Sequence, residues 1–245
     1  KNYPPLFLIH PISGDVLCYQ ELADALGEEQ TIYGLQTIGY ETNELPSMDT
    51  QEMAERYLKE IKSVQPEGPY YIAGWSFGGL ISMLMSKKLE DSNERVEYLG
   101  LIDSEYTEDN KINLEVEKKE LIHFAKKELQ MNEKALEVMS VSEVMKKVLE
   151  EIKTLQKYEL NHGIAMSLFE PPTISADIFM YRSEDSKRNQ SWNPYTSGRV
   201  IDVTVPGDHF SMMTNPNVMT LAEQMNNHIR SIKSNYSLRD QYERI

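Results

Sequence analysis

Apolar residues follow two rhythms along this chain. In the first they gather in short runs: Leu6 to Ile9, Thr31 to Gln36, Tyr70 to Ala73, Val96 to Ile102, Ile178 to Tyr181 and Val200 to Val205. These runs are strand-sized, and near-continuous apolarity is expected of strands buried on both faces of a parallel sheet. In the second rhythm, apolar positions recur every three or four residues. Leu22, Ala25 and Leu26 do so in a segment from Leu17 that stops at Gly27. Asp49-Thr50 opens a helix with a stripe of Met53, Tyr57, Ile61 and Val64, ended by Pro66 and Gly68. Leu80 to Leu89 is a third such segment, and Pro216-Asn217 opens a last one with Val218, Leu221, Met225 and Ile229 on one face. Strands that alternate with helices in this way predict an α/β fold, a mostly parallel wound sheet with helices on both faces.

Between Asn113 and Leu160 the rhythm changes. Charged groups such as Glu117-Lys118-Lys119-Glu120 and Lys126-Lys127-Glu128 lie among Leu121, Ile122, Phe124, Ala125 and Leu129, with Val144, Val148, Ile152 and Leu155 continuing the periodicity. No strand candidate occurs there. A helical insert at about residues 110–170 is therefore expected, either a lid over a substrate site or a plain helical layer. The core is expected at 1–109 and 171–234, and a polar, fraying tail at 235–245. No internal repeat divides the 245 residues, which suit one domain. The chain opens at Lys1 without Met and enters a strand almost at once, as would the C-terminal part of a longer polypeptide or a processed or trimmed single protein.

Composition narrows the field only modestly. At 40% hydrophobic the chain can bury a core unaided, and no run is long enough for a membrane span. The net charge of −14 argues against nucleic acid and anionic membranes. The single cysteine, Cys18, permits no internal disulfide and suits a reducing cytoplasm. Neither a phosphate-binding glycine loop nor a clustered Cys/His set appears, so no nucleotide cofactor or metal is expected.

The chemistry begins at Gly74-Trp75-Ser76-Phe77-Gly78, a G-x-S-x-G motif with a strand before it and a helix after. Such a turn projects the serine oxygen at the carboxyl edge of the sheet, as a nucleophile requires. A serine hydroxyl needs a base at neutral pH. Of five histidines, His209 alone sits in a loop directly after a strand near the chain end; His10 precedes a proline, and His123, His162 and His228 fall in helical stretches. The acid that orients His209 should come from the same sheet edge. Asp103, at the end of one strand, and Asp185, after a later one, both qualify, with Glu184 a weaker third; position alone slightly favours the later strand. Two backbone amides should form an oxyanion hole: Phe77, after the nucleophile, and Ile12, in the His10-to-Gly14 loop where Pro11 has no N–H.

Taken together, Leu8-Ile9-His10-Pro11-Ile12-Ser13-Gly14, Ala73-Gly74-Trp75-Ser76-Phe77-Gly78-Gly79, Leu101-Ile102-Asp103 and Gly207-Asp208-His209-Phe210 resemble the type I thioesterase domains of nonribosomal peptide and polyketide synthetases, α/β-hydrolase-fold enzymes. Those domains carry a helical lid where this chain has residues 110–170. They take their acid from a Leu-Ile-Asp context after the nucleophile helix, so the resemblance selects Asp103 over Asp185. A departure is Asp208, where the family often has a second glycine. The resemblance implies release of an acyl or peptidyl chain from the phosphopantetheine arm of a carrier domain, in the same polypeptide, through an acyl-Ser76 intermediate that water or an internal nucleophile resolves. It implies no tightly bound cofactor and a monomeric domain. A free carboxylesterase or lipase, and a binding domain that keeps the fold without chemistry, are the competing readings.

Overall fold

The computed structural model describes residues 3–40, 44, 47–106, 119, 122–123, 125–127, 129–151, 156–186 and 191–242. Among the described residues six strands form one sheet: β1 (Leu6–Ile9), β2 (Ile32–Leu35), β3 (Tyr70–Trp75), β4 (Val96–Ile102), β5 (Ile178–Ser183) and β6 (Val200–Val205). Their order is β2-β1-β3-β4-β5-β6, and every pairing is parallel. Helices α1 (Gln20–Leu26), α2 (Thr50–Val64) and α3 (Phe77–Asp91) alternate with the strands. Helices α4 (Glu133–Glu137), α5 (Val141–Glu151) and α6 (Gln156–Ser167) follow β4, and α7 (Asn217–Tyr242) follows β6. The α/β class and the wound parallel sheet expected from the sequence are observed.

The two-residue period of a strand divides its side chains between two cores. Phe7 and Ile9 of β1, Ile72 of β3 and Leu99 and Leu101 of β4 pack with Met53, Tyr57 and Ile61 of α2 and the buried face of α3. Leu6 and Leu8, Tyr71 and Ala73, and Tyr98 turn the other way, against Leu22 and Leu26 of α1 and Val218, Leu221, Met225 and Ile229 of α7. Each fully buried side chain of this size contributes about 1.5–3 kcal/mol. Burial on both faces is why the inner strands β1, β3, β4 and β5 read as apolar runs, whereas the edge strands β2 and β6 are only partly buried.

The helix expected over Leu17–Leu26 is split in two, a 3₁₀ turn at Leu17–Tyr19 before α1, and Gly27 ends it at φ 83°. Asp49 caps α2 as expected, its carboxylate accepting from the amides of Gln51 (2.8 Å) and Glu52. Val64 leaves the stripe: it is exposed, and Ala54 is buried in its place. The tail expected to fray after Ser234 continues α7 to Tyr242.

In the insert, Ile122, Ala125, Leu136, Val144, Val148, Leu149 and Ile164 form a small core of their own. Leu121, Phe124, Ile152 and Leu155 lie outside the described residues. Helix α6 straddles the boundary: Ile164 belongs to the insert core, while Ala165 and the following Phe169 join the main one. Among the described residues no helix is long and apolar enough to cross a membrane.

Candidate active site

Winding reverses at β1. The chain leaves β1 for β2 on one side, then returns to place β3 on the other, so the loop after β1 and the turn after β3 stand side by side at the carboxyl edge. In wound sheets this is where a crevice opens for a ligand. The loop carries Ile12; the turn carries Ser76.

Ser76 lies between β3 and α3 at φ 56°, ψ −122°. A non-glycine residue in such a conformation costs on the order of 1–3 kcal/mol and persists only where the surroundings impose it. Here they do. The Ser76 amide donates to Ile102 O of β4 (2.9 Å), and Ser76 O accepts from the amide of Gly79 (3.1 Å). A side chain on Gly78 would overlap the main-chain carbonyls of Ile9 and His10, and one on Gly79 would overlap Ser104. The motif's glycines thus let α3 start against β1 and β4 with nothing between. The amide of Phe77 is the first of those that a helix start leaves without an intrahelical acceptor.

His209 follows β6 in the loop. Its Nδ1 donates to Asp103 Oδ2 (2.8 Å), and the indole of Trp75 lies against its ring (centroids 5.0 Å apart) while the Trp75 Nε1–H donates to its carbonyl (3.1 Å). With Nδ1 protonated toward Asp103, the other nitrogen of the neutral imidazole is an acceptor.

Asp103 itself sits at φ 43° immediately after β4. That turn takes the main chain out of the ladder and lays the carboxylate over the end of β5. Its amide still donates to Tyr181 O (2.7 Å), but Oδ1 now accepts the amide of Ser183 (2.9 Å) and Oδ2 the Ser183 hydroxyl (3.0 Å). Burial pushes the Asp103 carboxyl up, yet the hydrogen bonds from His209 and Ser183 outweigh it and hold the group below the usual carboxylate range. Asp103, not Asp185, therefore holds His209. Asp185 lines the same cavity, as do Ser76, Asp103, His209, Met166 and the exposed ring of Phe210; the cavity measures about 660 Å³.

Asp208, the departure noted in the sequence, faces its own turn. Its Oδ1 accepts from the amides of Phe210 (3.0 Å) and Ser211 (2.7 Å) and from the Ser211 hydroxyl (2.9 Å). It caps the loop that presents His209.

The loop after β1 is held by two histidines. Pro11 O accepts from the Gly14 amide (3.0 Å) and from His10 Nδ1 (2.7 Å), and His10 Nε2 accepts from the Tyr57 hydroxyl (2.5 Å). His162 of α6 donates from Nδ1 to Ile12 O (2.8 Å) and accepts at Nε2 from the Thr37 hydroxyl (3.1 Å). Both rings are fully buried. Burial, with repulsion from His162, lowers the His10 pKa to about 3; burial lowers that of His162 to about 4. Both are neutral at pH 7.

The fold gathers Ser76, Asp103, His209, Ile12 and Phe77, the residues expected from the sequence, at one edge of the sheet. Ser183 and His162 join them unexpectedly. A serine closing an apolar strand run was a signal for Ser183. His162 gave none, because a histidine in a helix is indistinguishable by pattern from a surface residue.

Residues 4–229 match the model of the Thioesterase domain family. Malpinin synthetase of Mortierella alpina is 30% identical over 240 residues, 93% of this chain and 3% of that protein. A dimodular nonribosomal peptide synthase of Bacillus subtilis (strain 168) is 28% identical over 84% of this chain and 10% of its own length. The chain thus spans a small fraction of these multidomain relatives. The NocB thioesterase domain from the nocardicin cluster shares the fold, with a TM-score of 0.65 at 21% identity over 92% of this chain and 93% of that one. The likeness extends over both sheet faces, the insert and the last helix rather than one motif: the chain belongs to the thioesterase domain family.

Proposed function

We propose that this domain releases an acyl or peptidyl chain from the phosphopantetheine arm of a carrier domain in the same polypeptide, through an acyl-Ser76 intermediate. The observation that carries the reading is the arrangement around Ser76: a strained serine opens into the same cavity as His209, whose Nδ1 is held by the buried Asp103 carboxylate. The kinship with synthetases supports the carrier-bound substrate.

In the first half-reaction His209 Nε2 takes the proton of the Ser76 hydroxyl as Oγ attacks the thioester carbonyl. Negative charge gathers on the carbonyl oxygen, where the amides of Ile12 and Phe77 donate to it. The carbon–sulfur bond then breaks, and the departing thiolate takes the proton from the His209 imidazolium, leaving the acyl chain on Ser76. Asp103 keeps His209 in the required tautomer and stabilises its cationic form. In the second half-reaction water, or a hydroxyl or amine of the chain itself, gives its proton to His209 and attacks the ester. The bond to Oγ breaks, Ser76 regains its proton, and an acid or a ring leaves.

The test is mass spectrometry of the intact chain after brief exposure to acyl and peptidyl N-acetylcysteamine thioesters. An adduct mapped to Ser76 and resolving to acid or ring is expected, with no adduct in Ser76→Ala. Rapid turnover of soluble esters with no adduct from any thioester would replace the reading with a free esterase. Inertness toward both, and toward a fluorophosphonate, would indicate a binding domain.

A further inference from the structure

The insert and the oxyanion loop meet at one side chain. Helix α6 follows Ser76 by more than seventy residues, yet His162 reaches the loop after β1 and the start of α3 together. Ile12 O accepts from its Nδ1 (2.8 Å). Its ring stacks on Phe77, with centroids 5.3 Å apart and planes at 22°. The ring of His10 lies beside both, 4.8 Å from that of His162 and 6.2 Å from that of Phe77. His162 therefore touches both residues whose amides are read above as the oxyanion donors.

Direction follows from peptide geometry. The Pro11–Ile12 peptide is trans, so the Ile12 N–H points opposite to Pro11 C=O. That carbonyl is fixed by His10 and by the Gly14 amide. The next peptide is fixed at Ile12 O by His162. Thr37 completes the frame, since its hydroxyl donates to His162 Nε2 and its amide to Gly14 O (2.8 Å). Both peptide planes flanking Ile12 are thus pinned, one from inside the loop and one from the insert. Nearby, Tyr158 donates to Gly39 O (2.8 Å) and Asn161 to Ser47 O (2.9 Å), so α6 is fastened to the body along the face that carries His162.

We propose that His162 is a positioning residue for the oxyanion hole: it aims the Ile12 amide and seats Phe77 so that both donors meet the developing charge. The proposal rests on the reading of Ile12 and Phe77 as those donors. Through it, helix α6 sets the efficiency of acyl transfer rather than only covering the substrate. Misaiming a donor by about 1 Å is enough to lose much of its contribution, of the order of a hundredfold or more in kcat.

Two isosteric probes separate this role from plain packing. The amide nitrogen of His162→Asn can replace Nδ1 and donate to Ile12 O, whereas that of His162→Gln reaches the position of Nε2, beside Thr37. Acylation of Ser76 by an N-acetylcysteamine thioester is followed with saturating and sub-saturating substrate, together with inhibition by an alkylboronic acid, whose tetrahedral adduct on Ser76 mimics the oxyanion. The expected result is that Asn stays within about tenfold of the unaltered chain, while Gln loses about a hundredfold in kcat and in boronate affinity with little change in KM. Equal rates for Asn and Gln, or a loss confined to KM, would overturn the proposal. So would losses that match the fraction of folded protein measured by circular dichroism. If the unaltered chain forms no Ser76 adduct, the functional reading itself fails. Normal acylation in the unaltered chain and in both variants defeats this proposal alone.

Discussion

At the scale of single residues, the acid is the informative one. Asp103 and Asp185 both stand at the carboxyl edge, and β5, which leads to Asp185, lies next to β6, which leads to His209. Proximity along the sheet would favour Asp185. Asp103 instead reaches across the end of β5, because its positive φ frees the carboxylate to take the Ser183 amide that a further strand residue would have taken. Replacing Asp103 by Asn leaves the shape but removes the charge and the preference for the productive tautomer. Asp103→Asn should lower kcat/KM by about three to four orders of magnitude, and Asp185→Asn by less than about tenfold. Steady-state kinetics on one thioester compares them, and the reverse ranking would move the acid to Asp185.

At the scale of elements, the site depends on how closely α3 approaches the sheet. Its first turn lies against the carbonyls of Ile9 and His10, with no room for a Cβ at Gly78. Main-chain atoms cannot rotate away as a side chain can. Gly78→Ala should therefore push α3 off β1 and cost at least about 2–3 kcal/mol. Gly79→Ala should also destabilise, though less, because of the atoms it meets only Ser104 Oγ can turn aside, while Ser104 Cβ and Gly74 O cannot. Urea unfolding of the two variants measures both, and a Gly78→Ala chain within 1 kcal/mol of the unaltered one would show that the helix start can shift. The same reasoning explains why the first turns of α3 are buried all round, Leu80, Ile81, Met83, Leu84 and Met85 lying some against β-strands and some against α2, with the exposed charges confined to its last turns.

For the whole molecule, the neutral histidines between α6 and the body tie stability to pH. His10 and His162 carry folded-state pKa values near 3 and 4, below the 6.5 of an unfolded chain. Between those limits the unfolded state binds more protons, so stability rises with pH there. Their stabilising contribution is full above pH 6.5 and is lost as pH falls toward 4 and then 3. Two such groups make the fall on the order of several kcal/mol. Asp103 acts in the same sense at lower pH, because its carboxyl is also held down and its contribution disappears as it protonates. The urea midpoint should drop clearly between pH 7 and pH 5, with a shallower drop in His162→Asn. A midpoint that does not move over that interval would mean that these rings accept protons without opening the structure.

Much of this protein was decided by sequence alone, because the deciding forces are local or periodic. Two-sided burial wrote the inner strands as apolar runs, helical spacing wrote the faces of α1, α2 and α7, and the steric demands of one turn wrote Gly74 to Gly79 around Ser76. His209 was legible because a loop histidine after a late strand has few structural uses. Other choices belonged to the tertiary structure. Which carboxylate meets His209 depends on a backbone twist at Asp103 and on the serine ending the neighbouring strand, 80 residues later. The splitting of α1 and the exposure of Val64 depend on what packs nearby. His162 shows the limit most clearly: its hydrogen bond to Ile12 spans 150 residues, and no periodicity in a helix records what its polar side chain meets once the chain has folded back on itself.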